Sequence, residues 1–266
     1  MAGSIRGTHA RSAWLVSLIS AVVTIATLSS PATAQTVSDG TFLDVNWSLN
    51  QFTAGNGGSS TAAQVLAGGN PGAFRNVTDA LNAAPAGSQT IVLSTSIYTL
   101  FTYNPAVSGA ITSVNYNEDA ACTGGCFGQG QSTGPALRQG ANLYILSSST
   151  VITGPSATWT AHPLSGLTAS DFGLVNVTPT TLFDNTQHPN FSAGGAPIQF
   201  GFFRANGTGV NGGGYTLSAG IDNWQVTVVA AAVAAASPVP TLSEWAVVLL
   251  AFAVALIGFA WTRRTR

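Results

Sequence analysis

Residues 89–98 read QTIVLSTSIY, and such a run of β-branched residues is typical of a β-strand. Three further runs share this character: 142–147 (NLYILS), 198–204 (IQFGFFR) and 224–229 (WQVTVV). Glycine-rich turn signals lie between such runs, at 55–58, 68–72 and 212–214. The pattern predicts an all-β fold, an antiparallel β-sandwich of jelly-roll type.

The chain divides by composition into four parts. We predict a signal peptide over 1–34, a β-sandwich ectodomain over 35–229, an alanine-rich linker over 230–237 and a C-terminal segment over 238–266. Roughly two hundred residues suffice for one packed core, and single β-sandwiches commonly reach this size. The sequence therefore predicts one folded domain between two end segments.

The N-terminal segment has the features of an export signal. Arg6 and Arg11 precede an apolar run over 13–28, and Ala32 and Ala34 form a small-x-small cleavage site. We expect signal peptidase to cleave after Ala34. The mature chain would then fold in an oxidising compartment outside the cytoplasm.

The C-terminal segment predicts a membrane helix over 245–262. Residues 245–261 carry no charge, and as a helix they would span about 25 Å, close to the thickness of a bilayer core. Arg263, Arg264 and Arg266 follow as a basic tail. The positive-inside rule places this tail in the cytoplasm.

A short motif stands at the start of this helix, made of Val239, Pro240, Thr241, Leu242 and Trp245. It resembles the IPTL-CTERM sorting signals of Gram-negative bacteria, relatives of the PEP-CTERM signals, with Val239 in place of Ile and Ala246 in place of Gly. The resemblance implies processing by an exosortase-type membrane transpeptidase and transfer to the cell surface or matrix. The alternative is an ordinary C-terminal membrane anchor.

The charge balance excludes one class of partner. Residues 35–237 contain eight acidic residues, three arginines and no lysine, a net charge of −5. A nucleic-acid-binding protein needs clustered basic residues to displace counterions from phosphates. We therefore expect no nucleic-acid partner.

Two short stretches resemble the terminal strands of galactose-binding-like jelly rolls. They are residues 38–42 (SDGTF) with Trp47, and residues 220–226 (GIDNWQV). The resemblance implies that the first and last strands pair, and that a structural calcium ion can bind there. Concanavalin-like sandwiches are an equally good interpretation of the fold.

The resemblance suggests where such an ion would bind. Asp222 and Asn223, facing Asp44 or Asp39 across the paired strands, could supply the oxygen ligands that calcium requires. The alternative is that Asp222 and Asn223 only make local turn hydrogen bonds. No other cofactor is expected.

Cys122 and Cys126 enclose a Thr-Gly-Gly loop. In an oxidising compartment this pair predicts a disulfide that stiffens a surface loop. Free thiols are the alternative.

The sequence contains no complete set of catalytic residues in a recognisable motif. Glu118 is the one glutamate in 35–237, and Asp119 follows it directly, so the two would point to opposite faces of a strand. We expect both in a solvated loop. The pattern Gly-x-Ser-x-Gly occurs once, at residues 130–134 (GQSTG), but neither His162 nor His188 lies in a recognisable catalytic motif that would complete it. The chain is therefore predicted not to be an enzyme.

The function that fits best is that of an exported, C-terminally sorted surface or extracellular-matrix protein. The alternative is a carbohydrate-binding, lectin-like module at the cell surface, since sugars stack on aromatic rings and amides bind their hydroxyls. Tyr116 and Trp159 are the candidate ligand contacts, beside amides such as Asn117. Extracellular polysaccharide would then be a partner. A glycoside hydrolase is a remote alternative.

Overall fold

The computed structural model describes residues 33–125, 130–152, 158–232 and 242–264. Within these ranges, two antiparallel β-sheets form a sandwich of jelly-roll type, and a long helix follows at the C-terminal end. The predicted all-β sandwich with one C-terminal helix is confirmed.

Sheet A holds seven strands. They are β1 (Thr33–Asp39), β3 (Gly58–Gly69), β4 (Gly72–Leu81), β6 (Ile111–Gly124), β10 (Thr160–Ala161), β11 (Leu164–Leu167) and β15 (Tyr215–Ala230). The order across the sheet is β10-β6-β15-β4-β3, with β1 also paired to β15 and β11 to β6. The central strand is therefore β15.

Sheet B holds eight strands. They are β2 (Trp47–Ala54), β5 (Ile91–Tyr98), β7 (Gln131–Gln139), β8 (Asn142–Leu146), β9 (Thr150–Ile152), β12 (Phe172–Val175), β13 (Phe183–Asp184) and β14 (Ile198–Gly207). Their order is β13-β12-β8-β7-β14-β5-β2, with β9 beside β7. A short helix, α1 (Pro105–Ser108), begins at Asn104, whose side chain accepts a hydrogen bond from Ala106 N at 3.1 Å.

A bulge in β15 decides which of its side chains enter the core. Leu217, Ala219 and Ile221 are buried, and the pattern then shifts by one residue so that Trp224, Val226 and Val228 are buried. The shift occurs where the register with β6 breaks, between Asp222 and Gln225. Asn223 absorbs the extra residue with φ of 49°. The bulge thus turns Trp224 inward and leaves Asn223 outside.

Aromatic rings fill the centre of the sandwich. Trp47 and Trp224 meet edge to face at 4.9 Å, and Phe202 lies 5.5 Å from Trp47. Asp39 fixes this packing, since its Oδ2 accepts a hydrogen bond from Trp47 Nε1 at 2.8 Å. Burial opposes ionisation of Asp39, but the hydrogen bonds it accepts, including those from Thr41 and Trp47, outweigh burial and lower its pKa. The SDGTF stretch and Trp47 are therefore structurally coupled.

Side chains cover much of the free edge of β3. Gln51 accepts a hydrogen bond from Ser60 N at 2.7 Å and donates one to Gly58 O at 3.1 Å. Asp44 Oδ1 accepts a hydrogen bond from Gln64 N at 3.0 Å. Backbone groups occupied in this way cannot pair with a strand from another molecule.

The ends of the sandwich differ slightly from the predicted boundaries. β1 pairs with β15 in the register Asp39↔Trp224 and Thr33↔Ala230. Ala230 therefore belongs to the last strand and not to the linker, because it completes this ladder. The C-terminal helix, α2, runs over Leu242–Arg264 and so extends past the predicted 245–262 at both ends.

Candidate functional site

Trp159 lies on the outer face of sheet A and is half-buried. Its Nε1 donates a hydrogen bond to Gly68 O at 3.1 Å, and its ring meets Phe74 edge to face at 5.3 Å. A Cβ at Gly220 would lie 2.8 Å from both rings, which is too close for any side chain. Glycine at this position thus lets the tryptophan lie against the sheet.

A polar cluster adjoins this tryptophan on the same face. Asp119 and Asp222 occupy directly opposed positions on β6 and β15. Asn223 Nδ2 donates to Asp119 Oδ2 at 2.6 Å, and Asn70 Nδ2 donates to the same oxygen at 3.1 Å. Asp222 Oδ2 accepts the backbone N–H of Asn70. Amide donors thus hold two like charges together, which would otherwise repel each other.

A cleft of about 310 Å³ continues from this cluster across the sheet. It is lined by Ser38, Asp39, Gly40, Asn117, Asn223, Trp224 and Gln225. Ser38, Gln225 and Asn117 are neighbours in register on three adjacent strands. Of these residues, Asn117 was predicted as a binding amide and Asn223 as a calcium ligand, because one sequence does not show the strand register that brings the others to them.

Tyr116 does not contact the surface, and its prediction as a ligand contact is wrong. It is 3% exposed and points between the sheets, where its hydroxyl donates to Glu118 Oε2 at 2.6 Å. Burial, together with the Glu118 charge, raises its pKa well above the ordinary value. Tyr116 is therefore a core residue.

The predicted solvated loop at Glu118 is also wrong. Glu118 is fully buried in β6, where Arg204 Nη1 lies 3.2 Å from Oε2 and Thr133 Oγ1 lies 2.5 Å from Oε1. The ion pair offsets the free-energy cost of burying this charge, because a buried carboxylate without a partner would lose its hydration without a compensating interaction. The neighbouring Asp119 points to the outer face, so the alternation expected for the pair is confirmed.

Asp79 is a second fully buried carboxylate between the sheets. Gln131 Nε2 donates to its Oδ2 at 2.8 Å and lies 2.9 Å from Asn206 Oδ1. Burial raises the pKa of Asp79 to about 6, although the Gln131 hydrogen bond and the Arg204 charge act against this rise. The interior of the sandwich thus carries a polar layer beside its aromatic centre.

The predicted calcium ligands do not form one cluster. Asp44 Oδ1 lies 2.6 Å from Arg75 Nη1, whereas Asp222 bonds to Asn70 and to the backbone N–H of Asn223 at 2.7 Å. In the described ranges, no group of three or more acidic, histidine or cysteine residues could hold a metal ion. These contacts agree with the alternative of local hydrogen bonds, and calcium binding stays a prediction.

The structure describes only one of the two cysteines. Cys122 is 3% exposed in β6, and its Sγ lies 3.5 Å from Ser218 O. Cys126 lies outside the described residues. The disulfide between them therefore stays a prediction.

The helix α2 is long and apolar enough to cross a membrane. Residues Trp245–Arg264 have a mean hydropathy of 2.2 and bury no surface against the sandwich, and Arg263 and Arg264 lie in the last turn. Leu242 begins the helix. Four other predicted residues, Ala32, Val239, Pro240 and Thr241, lie outside the described ranges, as does Arg266, while Ala34 lies in β1.

Comparison with solved structures finds β-sandwiches. The family 11 carbohydrate-binding module of the cellulosomal cellulase Lic26A-Cel5E of Clostridium thermocellum aligns with a TM-score of 0.41 and 11% identity, over 76% of this chain and 97% of that one. SGBP-B from a xyloglucan utilization locus in Bacteroides uniformis aligns with a TM-score of 0.29 and 13% identity, over 64% and 47% of the two chains. Likenesses of this strength carry no argument about a ligand.

No curated protein matches the sequence of this chain. The motif at its C-terminal end does have a match, over residues 237–264. This range covers the Pro-Thr-Leu stretch, the whole of α2 and two of the three terminal arginines. The C-terminal segment of the chain is an IPTL-CTERM motif.

Proposed function

We propose that the chain is an exported surface or extracellular-matrix protein of a Gram-negative bacterium, with a non-catalytic β-sandwich as its ectodomain. Signal peptidase cleaves it after Ala34, α2 holds it in the inner membrane, and an exosortase-type enzyme processes the IPTL-CTERM motif. The observation that carries the proposal is α2, which is apolar on all sides and exposed. A helix of this kind needs hydrocarbon around it.

The buried carboxylates support a non-catalytic role. Glu118 is engaged by Arg204 and Thr133 between the sheets, where no substrate can reach it. Asp119 and Asp222 on the outer face are both engaged by Asn70. Release of reducing sugar from a panel of polysaccharides would instead favour the glycoside hydrolase.

Replacing Pro240 and Thr241 together by alanine should abolish sorting but not membrane insertion. Insertion depends on the hydrophobicity of α2, which the change leaves intact, whereas the processing enzyme reads the motif. We expect the uncleaved precursor to accumulate in the membrane fraction, measured by immunoblotting of fractionated cells. Val239→Ile, which restores the common motif, is the matched control. Normal processing of the double variant would identify an ordinary anchor.

Replacing Arg263, Arg264 and Arg266 by glutamine should disturb the orientation of α2. The positive-inside rule makes these residues the determinant that keeps the C-terminal end in the cytoplasm. We expect less processing, or a C-terminal reporter that becomes accessible from the periplasm. Unchanged processing together with a cytoplasmic reporter would contradict this role.

A second candidate function, carbohydrate binding, is supported by one feature of the ectodomain. Trp159 lies on the outer face of sheet A beside amides and carboxylates, an arrangement suited to carbohydrate.

A further inference from the structure

Trp159 offers a flat apolar surface at a fixed position. Its indole N–H is bound to Gly68 O, and one edge of the ring is held by Phe74 over Gly220. The side chain remains partly exposed although the groups beneath it are buried. A tryptophan immobilised in this way loses little rotamer entropy when a ligand stacks on it.

On the same face of sheet A, several polar side-chain atoms have no hydrogen-bond partner among the residues that the structure describes. Asp119 Oδ2 accepts two hydrogen bonds but Oδ1 accepts none, and the amide of Gln225 makes none. Asn117 makes one long contact, 3.5 Å from its Nδ2 to Asn223 O, which leaves its Oδ1 available. These atoms supply both donors and acceptors, as the hydroxyl groups of a sugar require.

The tryptophan and the cleft lie on the same outer face of sheet A and are linked through hydrogen bonds of the polar cluster. Asn70 connects the loop under Trp159 to Asp119, and Asn223 connects Asp119 to the cleft of about 310 Å³. This volume is at the lower end of the range for small-molecule sites, and the cleft is open. It is suited to a stretch of an extended polymer better than to an enclosed ligand.

The charges on this surface select among polymers. Asp119 is its partly exposed carboxylate, Asp222 and Asp39 lie buried beneath it at 1% and 7% exposure, and no basic residue lines the cleft. An anionic polysaccharide would meet repulsion without a compensating cation, and a nucleic acid would meet the same obstacle. Uncharged sugar hydroxyls can donate to Asp119 Oδ1 and form hydrogen bonds with the amides.

We propose that the outer face of sheet A, from Trp159 to Gln225, binds an uncharged polysaccharide, with a sugar ring stacked on Trp159. The Gln225 amide donates and accepts hydrogen bonds with the hydroxyls of the adjacent units, while Asn117 Oδ1 and Asp119 Oδ1 accept them. This binding is separate from the proposed sorting, because it uses only residues of the ectodomain.

The test is affinity electrophoresis of the exported chain, solubilised in mild detergent with α2 retained. The uncharged polymers in the gel are hydroxyethyl cellulose, laminarin, galactomannan and dextran. Alginate serves as the anionic probe. We expect retardation by at least one uncharged polymer and none by alginate, with little effect of salt since no ion pair forms. Trp159→Ala should weaken binding about tenfold or more, and Trp159→Phe should restore part of it.

Gln225→Ala is a second, independent test, because this exposed side chain makes no hydrogen bond that stabilises the fold. It should weaken binding several-fold with an unchanged unfolding temperature. Leu100→Ala, at an exposed position after β5, is the matched control and should bind normally. Failure of all four uncharged polymers to bind would overturn the proposal. Binding unchanged in Trp159→Ala and Gln225→Ala, or binding only to alginate, would also overturn it.

Discussion

Arg204→Met should destabilise the sandwich by about 3–5 kcal/mol, because it leaves the buried Glu118 carboxylate without its cation. Both side chains are fully buried, and the guanidinium also lies 4.8 Å from the centre of the Phe202 ring. For a domain of this size the loss corresponds to a fall in unfolding temperature of roughly 6–20 °C. Near-ultraviolet circular dichroism measures it, since this signal reports the packing of the core tryptophans.

Two further variants separate the charge from the packing. Adding Glu118→Gln to Arg204→Met removes the unpaired charge but keeps an acceptor for Tyr116, so it should recover part of the stability. Arg75→Met is the matched control, because its partner Asp44 is 58% exposed and returns to water. If Arg204→Met cost no more than Arg75→Met, the ion pair would not support the core as argued.

The strands were predictable because their runs are rich in β-branched and aromatic residues and turn signals separate them. Residues 198–204 and 224–229 lie in β14 and β15 as expected. The charged Glu118 concealed the strand β6, in which the alternate residues Val114, Tyr116, Ala120 and Cys122 point inward. A charge was taken as a sign of solvent, since the sequence does not show that Arg204, 86 positions away, would be its partner. The error at Glu118 also placed Tyr116 at the surface.

The outer face of sheet A was only partly predictable. Trp159 was recognised as a candidate contact by its residue type and its lack of a place in a strong strand. Its neighbours depend on register, since Asp222 meets Asn70 across 152 positions and the bulge at Asn223 sets which side chains face outward. Neither the strand pairing nor the position of the bulge can be recognised from a single sequence. The membrane helix, by contrast, is a local property and was predicted within three residues at each end.

Asp79→Asn should stabilise the sandwich near neutral pH and change how its stability depends on pH. Burial raises the pKa of Asp79 from 3.8 to about 6, so the ionised form costs the fold about 3 kcal/mol. The charged group that acts on it is Arg204 on β14, itself paired with Glu118 on β6, and the Tyr215 hydroxyl lies at the edge of the layer. Asparagine keeps an acceptor for Gln131 Nε2 and carries no charge to desolvate.

The sign of the pH effect follows from proton binding. Between pH 4 and 6 the folded protein holds a proton on Asp79 that the unfolded chain has released, so this group makes stability fall as pH rises. Asp79→Asn should remove that fall, with a gain of up to about 3 kcal/mol at pH 7.5 in the free energy of unfolding. Asp184→Asn is the control: hydrogen bonds from Thr186 lower the pKa of this exposed group, so its effect should be small and opposite. Destabilisation by Asp79→Asn at pH 7.5, or an unchanged slope between pH 4 and 6, would show that the buried carboxylate is stabilised by contacts stronger than its desolvation.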